Sequence, residues 1–282
     1  GEKVVSLNLA AGEKGIAAGN VIDFPFKFDL APKPVHHKIL SGAAAAALGA
    51  LSADCRFFPF YPMSPGTPVI SNVVKFASQL PVVVEQAEDE IAAVNMAIGA
   101  SFAGVRSLTA TSGGGFCLMT EGLGLAAITE TPIVIINAQR PGPATGLATR
   151  TAQADLLFAI HASQDEFPRL VFAPGSVMET FNTVKKAVFL SEKYQVPAII
   201  LMDQFLVDSS RTEPDDFTLD DAHLSFLDTS QDLSEPYLRY KLTESGVSAR
   251  KLPCESSALV RAAGNEHTPE GLSTEDPEMR NQ

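Results

Sequence analysis

Residues 106–138, RSLTATSGGGFCLMTEGLGLAAITETPIVIINA, set the fold class of this chain. RSLTAT predicts a short strand, TSGGG a glycine turn, FCLMTEGLGLAAIT a helix and PIVIINA a second strand. The second strand lacks polar alternation, which is typical of a strand covered by helices on both faces. The stretch therefore predicts one strand–helix–strand unit of a parallel sheet.

The same alternation continues in both directions along the chain. Upstream, GAAAAALGAL, VISNVVKFASQL and EDEIAAVNMAIGASFAG predict helices, and RFFPF and PVVVE predict strands. We expect Thr67-Pro68 to cap and open the second of these helices. Downstream, the loop QRPGPATGLATRT leads into another helix, RLVFA and PAIILM predict strands, and Ser176 with Glu179 predicts a capping box. The pattern predicts an α/β fold with a doubly wound parallel sheet.

The limits of the domain follow from where the alternation of strands and helices starts and stops. We expect the α/β domain over residues 39–207. Residues 1–38 contain several Gly and Pro and little periodicity, so they predict an irregular linker or extension. Residues 208–282 predict an acidic connector, which includes PDDFTLDDAHLSFLDTSQDLSE, and the start of a following domain. The first residue is not Met and the chain stops in a polar run, so we expect a fragment of a longer protein.

Composition excludes several classes of function. The net charge of −12 argues against binding to nucleic acid or to anionic membranes, which require clustered Lys and Arg. No apolar run is long enough to cross a bilayer. Three scattered cysteines and five histidines form no spaced ligand set, so we expect no metal site built by this chain alone. Unpaired cysteines also suit a reducing cytoplasm.

Candidate site residues follow the predicted strands, where parallel sheets bind ligands. Glu88, Asp89 and Glu90 begin a helix; they either complement its dipole or include a carboxyl group held in a dry crevice for proton exchange. TSGGG is either a turn that needs unusual dihedral angles or a phosphate-binding turn. Arg140 follows a buried strand, and its guanidinium group would either bind a substrate carboxylate at two points or pair with a surface acid.

Several motifs together resemble the alpha subunit of 2-oxoacid:ferredoxin oxidoreductases, especially the 2-oxoglutarate type. The resemblance covers about residues 42–206 and rests on YPMSPGTP, EQAEDEIAAVNMAIGASFAG, TATSGGGFCLMTEGLGLA, AQRPGPATGLATRTAQADL, EFPRLVFAPGS and SEKYQVP in this order. It implies a thiamine-diphosphate fold in which this domain holds the aminopyrimidine ring of the cofactor.

The resemblance also implies roles for individual residues. Glu90, nine residues before Gly99, stands where the family has its cofactor-activating glutamate, whose carboxyl group binds ring nitrogen N1′ and favours the 4′-imino tautomer. Pro62, Ser112 and Gly113 would line the cofactor pocket. The residues expected to bind the substrate are Ser64, Arg140, Thr149 and Arg150.

This sequence departs from the family pattern at some of these positions. Ser64 replaces the usual Thr, Arg150 the usual Lys and Gln164 a usual His, while Gly114 and Ala148 replace usual prolines. The departures leave the cofactor role intact but leave the identity of the 2-oxoacid open.

A partner chain is implied because the chain has no Gly-Asp pair. In this family a Gly-Asp-Gly motif holds magnesium and the diphosphate. We therefore expect a beta subunit that carries this motif, the magnesium and an iron–sulfur cluster and that shares the cofactor. The reaction implied is oxidative decarboxylation of a 2-oxoacid with coenzyme A to an acyl-CoA and CO2, with electrons passed to ferredoxin. Residues 1–38 resemble the connector that follows a fused gamma domain.

Two alternatives stay open at this point, and a third is disfavoured. The chain is half of a thiamine-diphosphate enzyme that does not use ferredoxin, or it is a catalytically silent assembly subunit with the same fold. A nicotinamide-binding fold is disfavoured, because the GxGxxA match at Gly122, Gly124 and Ala127 lies inside a predicted helix rather than after a strand.

Overall fold

The computed structural model describes residues 1–22, 37–214, 225–231, 236–255 and 257–281. The chain divides into two compact units, Gly1–His36 and His37–Gln282. None of the helices in these described ranges is both long and apolar enough to cross a membrane.

The first unit corrects the expectation of an irregular N-terminal extension. Glu2–Gly19 forms helix α1, and none of its residues is buried. Its Ala, Leu, Glu and Lys residues have high helix propensity, which favours a helix even where no apolar stripe repeats. Periodicity alone did not predict this helix, because periodicity reports a buried face and α1 has none.

The second unit alternates strands and helices. Its strands are β1 (His37–Ser41), β2 (Phe57–Phe60), β3 (Val83–Gln86), β4 (Leu108–Thr111), β5 (Val134–Gln139), β6 (Leu170–Phe172), β7 (Ala198–Asp203) and β8 (Ser210–Pro214). Its helices are α2 (Gly42–Ser52), α3 (Thr67–Ala77), α4 (Glu90–Phe102), α5 (Gly113–Leu118), α6 (Thr120–Ile128), α7 (Leu156–His161), α8 (Val177–Tyr194), α9 (Gln204–Asp208) and α10 (Pro277–Arg280).

The central sheet is parallel, as predicted. Strands β4, β5, β7 and β6 pair in this order, and β2 pairs with β3. A parallel bridge between Phe57 and Ser107 joins the two groups, so the strand order is β3-β2-β4-β5-β7-β6. Strands β1 and β8 form a separate antiparallel pair. The order reverses between β2 and β4, which is the topological switch point of the sheet.

Helices cover both faces of this sheet, which confirms the doubly wound fold. On one face, α2, α3 and α8 pack on alternate strand residues such as Ala110 and Ile136. On the other face, α4, α5, α6 and α7 pack on Ile135, Ile199 and their neighbours. Strands β4, β5 and β7 are therefore buried from both sides, which explains the continuous apolar run of PIVIINA.

Two helix starts differ from the sequence predictions. Thr67 is not a cap: α3 begins at Thr67, the cap position is Gly66, and no side chain caps the helix. TSGGG is not only a turn, because α5 starts at Gly113 and a break near Met119 separates it from α6. The capping prediction at Ser176 is confirmed, since Ser176 Oγ accepts a hydrogen bond from Glu179 N at 3.3 Å.

The C-terminal part of the second unit is attached by buried charges. Arg250 and Glu192 form an ion pair at 2.8 Å with side chains 7% and 8% exposed. Arg239 binds Glu130 at 3.0 Å. Much of the predicted acidic connector, residues 215–224 and 232–235, lies outside the described residues. The division at residue 207 therefore stays a prediction.

Candidate functional site

The candidate site lies at the switch point of the sheet, beyond the carboxyl ends of β2 and β4. The turn that follows β2 contains Pro62 and Ser64, and the segment that follows β4 contains Ser112 and Gly113. Parallel sheets bind ligands in this crevice because the connections on its two sides diverge. Helix α4, which begins with Glu90, follows β3 on the same edge of the sheet.

Glu90 is buried, with 2% of its surface exposed. Thr111 Oγ1 donates a long hydrogen bond of 3.4 Å to its Oε1. Among the described residues, no Lys, Arg or His forms an ion pair with this carboxyl group. A buried glutamate without a cationic partner is rare in proteins.

Asp89 rather than Glu90 caps α4. Asp89 Oδ1 accepts a hydrogen bond of 2.7 Å from Ala92 N. The capping explanation for the acidic run therefore applies to Asp89, and it leaves the buried carboxyl group of Glu90 without a capping role.

Gly115 makes room for the pair of Glu90 and Thr111. A Cβ atom at Gly115 would lie 2.0 Å from Thr111 Oγ1 and 2.4 Å from Glu90 Oε1. Such distances are shorter than any van der Waals contact, so a side chain at residue 115 would displace one or both groups. The glycine run thus serves close approach of α5 to the carboxyl group of Glu90.

The segments after β2 and β5 meet through Arg140. This residue is 9% exposed, and its Nη1 donates a hydrogen bond of 2.8 Å to Ser64 O. Its Nε is buried and has no hydrogen-bond partner in the part of the chain described by the structure. Met63, which precedes Ser64, has its Sδ 4.0 Å from Thr111 Oγ1. Glu90 and Arg140 are therefore linked through Thr111, Met63 and Ser64.

Ser112 contributes a second buried polar group without a partner. Its side chain is fully buried, and its Oγ makes no hydrogen bond to the described residues, although Ser112 occupies the cap position of α5. Buried hydroxyl groups are nearly always hydrogen-bonded. Ser112 Oγ and Arg140 Nε are thus two buried polar atoms, in the segments that follow β4 and β5, whose hydrogen bonding the described residues leave incomplete.

Thr149 and Arg150 lie in the exposed loop between β5 and α7. Arg150 N bonds to Leu147 O at 3.1 Å, and Arg150 Nη1 bonds to Thr149 O at 3.1 Å. Their side chains make no hydrogen bond to Glu90, Ser64 or Arg140 in the described structure. Pro62 is exposed in the turn that follows β2. The roles of these residues stay predictions.

Sequence reasoning missed a polar group on the same sheet edge. Asn137 Nδ2 donates to Asp155 Oδ2 at 3.1 Å, and Asp155 N donates to Gln139 Oε1 at 3.0 Å. Asn137 and Gln139 are both buried near the end of β5. The signal was present in the sequence, since two polar residues with the same side-chain direction end an otherwise apolar strand.

Metal binding has no visible site in the described ranges. No group of three or more His, Cys, Asp or Glu side chains is arranged there to hold an ion.

Comparisons with known proteins place this geometry in context. A family model described as "Pyruvate flavodoxin/ferredoxin oxidoreductase, thiamine diP-bdg" matches residues 48–282. The chain is 42% identical over 256 residues to the alpha subunit of 2-oxoacid:ferredoxin oxidoreductase 1 of Sulfurisphaera tokodaii, a match that covers 84% of this chain and 40% of that protein. It is 40% identical over 169 residues to the 2-oxoglutarate synthase subunit KorA of Archaeoglobus fulgidus, covering 60% and 49% of the two chains.

A solved structure is similar over the whole chain. It is a 2-oxoglutarate:ferredoxin oxidoreductase from Magnetococcus marinus with 2-oxoglutarate, coenzyme A and succinyl-CoA bound, and it matches with a TM-score of 0.88 and 36% identity over 100% of this chain and 49% of that chain. The chain thus spans 40–49% of the length of these relatives.

Proposed function

The chain belongs to the family of thiamine-diphosphate-binding domains of pyruvate flavodoxin/ferredoxin oxidoreductases, and on this premise we propose that it holds the aminopyrimidine ring in the alpha subunit of a 2-oxoacid:ferredoxin oxidoreductase. The complete enzyme would convert a 2-oxoacid and coenzyme A to an acyl-CoA and CO2, with the electrons passed to ferredoxin. We propose 2-oxoglutarate as the substrate, because a KorA subunit and a 2-oxoglutarate-bound enzyme are among the similar proteins.

The observation that carries this proposal is the buried carboxyl group of Glu90 beside Thr111 at the switch point. A carboxyl group in this position would bind ring nitrogen N1′ and share a proton with it. The unpaired Ser112 Oγ, in the segment that follows β4, would offer a hydroxyl group to a flat polar ring beside Glu90.

Thiamine diphosphate, when bound, supplies the electron sink for decarboxylation of a 2-oxoacid. The residues of this chain bind and orient the cofactor ring and the substrate. Glu90 holds the proton at its carboxyl oxygen, and Pro62, Ser112 and Gly113 shape the ring pocket. Arg140 binds the substrate carboxylate, since its Nη1 is already fixed on Ser64 O and its Nε has no partner among the described residues. Ser64, Thr149 and Arg150 would complete substrate binding.

The rest of the active site is proposed to come from other chains. We propose that a beta subunit carries the Gly-Asp-Gly motif, magnesium and an iron–sulfur cluster, and that a gamma domain forms part of the full-length protein. Names of similar proteins as alpha subunits support a multi-subunit enzyme. A cytoplasmic location is part of the same proposal, supported by three free cysteines.

Reconstitution tests this function. The full-length protein is co-expressed with its beta subunit, and reduction of ferredoxin or a dye is measured with a panel of 2-oxoacids, with and without coenzyme A and thiamine diphosphate. We expect a brown complex whose kcat/KM is highest for 2-oxoglutarate. A colourless complex that decarboxylates would favour an enzyme that does not use ferredoxin, and a complex inactive towards every 2-oxoacid would contradict the proposal.

A further inference from the structure

Asp155 occupies the cap position of α7, yet its side chain does not cap the helix. No hydrogen bond links its carboxylate to the first amides of α7. Aspartate is among the preferred capping residues, and loss of a cap costs about 1 kcal/mol of stability. The carboxylate is therefore engaged elsewhere.

The contacts of Asp155 connect two parts of the site. Its Oδ2 accepts a hydrogen bond of 3.1 Å from Asn137 Nδ2, and its backbone N–H binds Gln139 Oε1 at 3.0 Å. Asn137 and Gln139 lie on β5, three positions and one position before Arg140. On the other side, the carboxylate packs against Gly113, where an added Cβ atom would lie 2.6 Å from Oδ2.

The carboxylate of Asp155 also influences the pKa of the Cys117 thiol. Burial raises the pKa of Cys117, and the negative charge of Asp155 raises it further. The half-buried Asp155 thus lies close to helix α5, which begins at Gly113.

These contacts define two segments, the substrate loop (residues 140–154) and the glycine turn (residues 111–115). The substrate loop carries Arg140, Thr149 and Arg150, and its interior is held by its own bonds, such as Leu147 N to Pro141 O at 3.0 Å. Its far end is tied to β7 by Gln153, which binds Asp203 at 2.7 Å. Asp155 adds a tie to β5 and a contact with the glycine turn.

We propose that Asp155 is a positioning residue that fixes the substrate loop relative to the glycine turn, and so sets how the 2-oxoacid meets the cofactor ring. The inference rests on the proposed function and extends it to a residue that touches neither ligand. Displacement of a loop by about 1 Å can change rates up to about a hundredfold. Because Arg140 and Glu90 keep their own contacts, removal of the Asp155 carboxylate affects substrate binding more than the chemical step.

The test uses the assembled complex with three variants at one position. Asp155→Ala removes both the acceptor and the packing against Gly113. Asp155→Glu keeps the charge, but its longer side chain cannot occupy the space between Asn137 and Gly113. Asp155→Asn keeps the size and an acceptor oxygen for Asn137 Nδ2. The control is Asp165→Asn, which removes an exposed carboxylate paired with Arg280.

We expect Asp155→Ala and Asp155→Glu to raise KM for the 2-oxoacid about tenfold while kcat stays within about twofold of the wild type. Asp155→Asn should restore a KM close to that of the wild type, and Asp165→Asn should leave it unchanged. Hydrogen–deuterium exchange should quicken in residues 140–154 of the Ala and Glu variants but not in α8. A purely structural residue would instead lower the yield of complex without a change in KM.

The outcomes separate this inference from the proposed function. A wild-type complex without turnover contradicts the proposed function. Hydrogen–deuterium exchange of the Asp155 variants would still show whether Asp155 fixes the substrate loop. An active wild-type complex with unchanged KM and unchanged loop exchange in Asp155→Glu overturns the role of Asp155 alone. If the complex with Asp155→Ala does not assemble, the differences in KM and loop exchange between Asp155→Glu and Asp155→Asn test the role of Asp155.

Discussion

Thr111 Oγ1 lies 3.4 Å from Glu90 Oε1, so the last residue of β4 touches the first residue of α4. The contact joins the end of β4, at the switch point of the sheet, to the first turn of α4, where the carboxyl group of Glu90 is buried. A hydrogen bond of this length is weak, which leaves the carboxyl group available to a stronger partner.

Substitution of Gly115 tests whether this geometry matters. Gly115→Ala should reduce kcat/KM of the assembled enzyme by about a hundredfold, because the new Cβ atom would displace Glu90 or Thr111. Gly114→Ala is the matched control, since its Cβ atom would meet nothing closer than 3.7 Å. Steady-state kinetics of both variants provides the measurement, and equal activity of the two would argue against a close fit at residue 115.

Arg140 should be sensitive even to a conservative change. Arg140→Lys keeps the charge but loses the planar fork that binds Ser64 O and a carboxylate together. We expect KM for the 2-oxoacid to rise about tenfold to a hundredfold, the equivalent of one charged hydrogen bond. Arg280→Lys, at an exposed arginine of α10, serves as the control. Unchanged KM in Arg140→Lys would remove this residue from substrate binding.

Stability should depend on the buried ion pair between the C-terminal part and α8. Burial raises the pKa of Glu192, while Arg250 and then Arg106 lower it. Glu192→Ala should reduce the free energy of unfolding by about 3–5 kcal/mol, because Arg250 would stay buried without its counter-charge. Glu130→Ala should cost less, because Glu130 is 38% exposed and the buried Arg239 would keep its hydrogen bonds to Ser248 Oγ and to the backbone oxygen of residue 130. Urea denaturation of both variants measures the difference, and similar losses would contradict it.

Cys55 should be inert in the folded protein. Burial raises the pKa of its thiol from 9.0 to about 12, against the lowering effect of Arg106. Alkylation followed by mass spectrometry should modify the exposed Cys117 and Cys254 before Cys55.

Because of the same thiol, the stability of the folded protein should fall as the pH rises. The unfolded thiol loses its proton at lower pH than the folded one, so the contribution of Cys55 to stability is complete below pH 9 and is lost as the pH rises toward 12. Wild type should therefore lose more stability than Cys55→Ala over this alkaline range. Parallel curves for the two proteins would show that the thiol is not shielded.

The sheet could be predicted because its signal is local. The apolar run that ends at Ala138 and the small-residue helix that begins near Glu90 each report burial within a few residues. The acidic run Glu88, Asp89 and Glu90 left open whether one carboxyl group is held in a dry crevice, and the structure shows that Glu90 is buried. By contrast, α1 has no buried face to create periodicity, and propensity alone favours it.

The contacts of the site depend on tertiary structure. Asn137 and Asp155 are 18 positions apart, and their hydrogen bond exists only because the loop between β5 and α7 returns to the strand it left. In the sequence, Gly115 likewise predicted no more than a turn within TSGGG. Its close approach to Glu90 appears only when α5 is packed on α4.

The most direct test of the central claim is turnover of the reconstituted complex that carries Glu90→Gln. The amide keeps the size and burial of the side chain but cannot share a proton with a ring nitrogen as a carboxyl group does. With assembly intact and Glu88→Gln as the neighbouring control, we predict that 2-oxoacid-dependent ferredoxin reduction falls at least about a hundredfold, within the range by which positioned acid–base groups accelerate reactions. Activity of Glu90→Gln equal to that of Glu88→Gln would contradict the role of this carboxyl group.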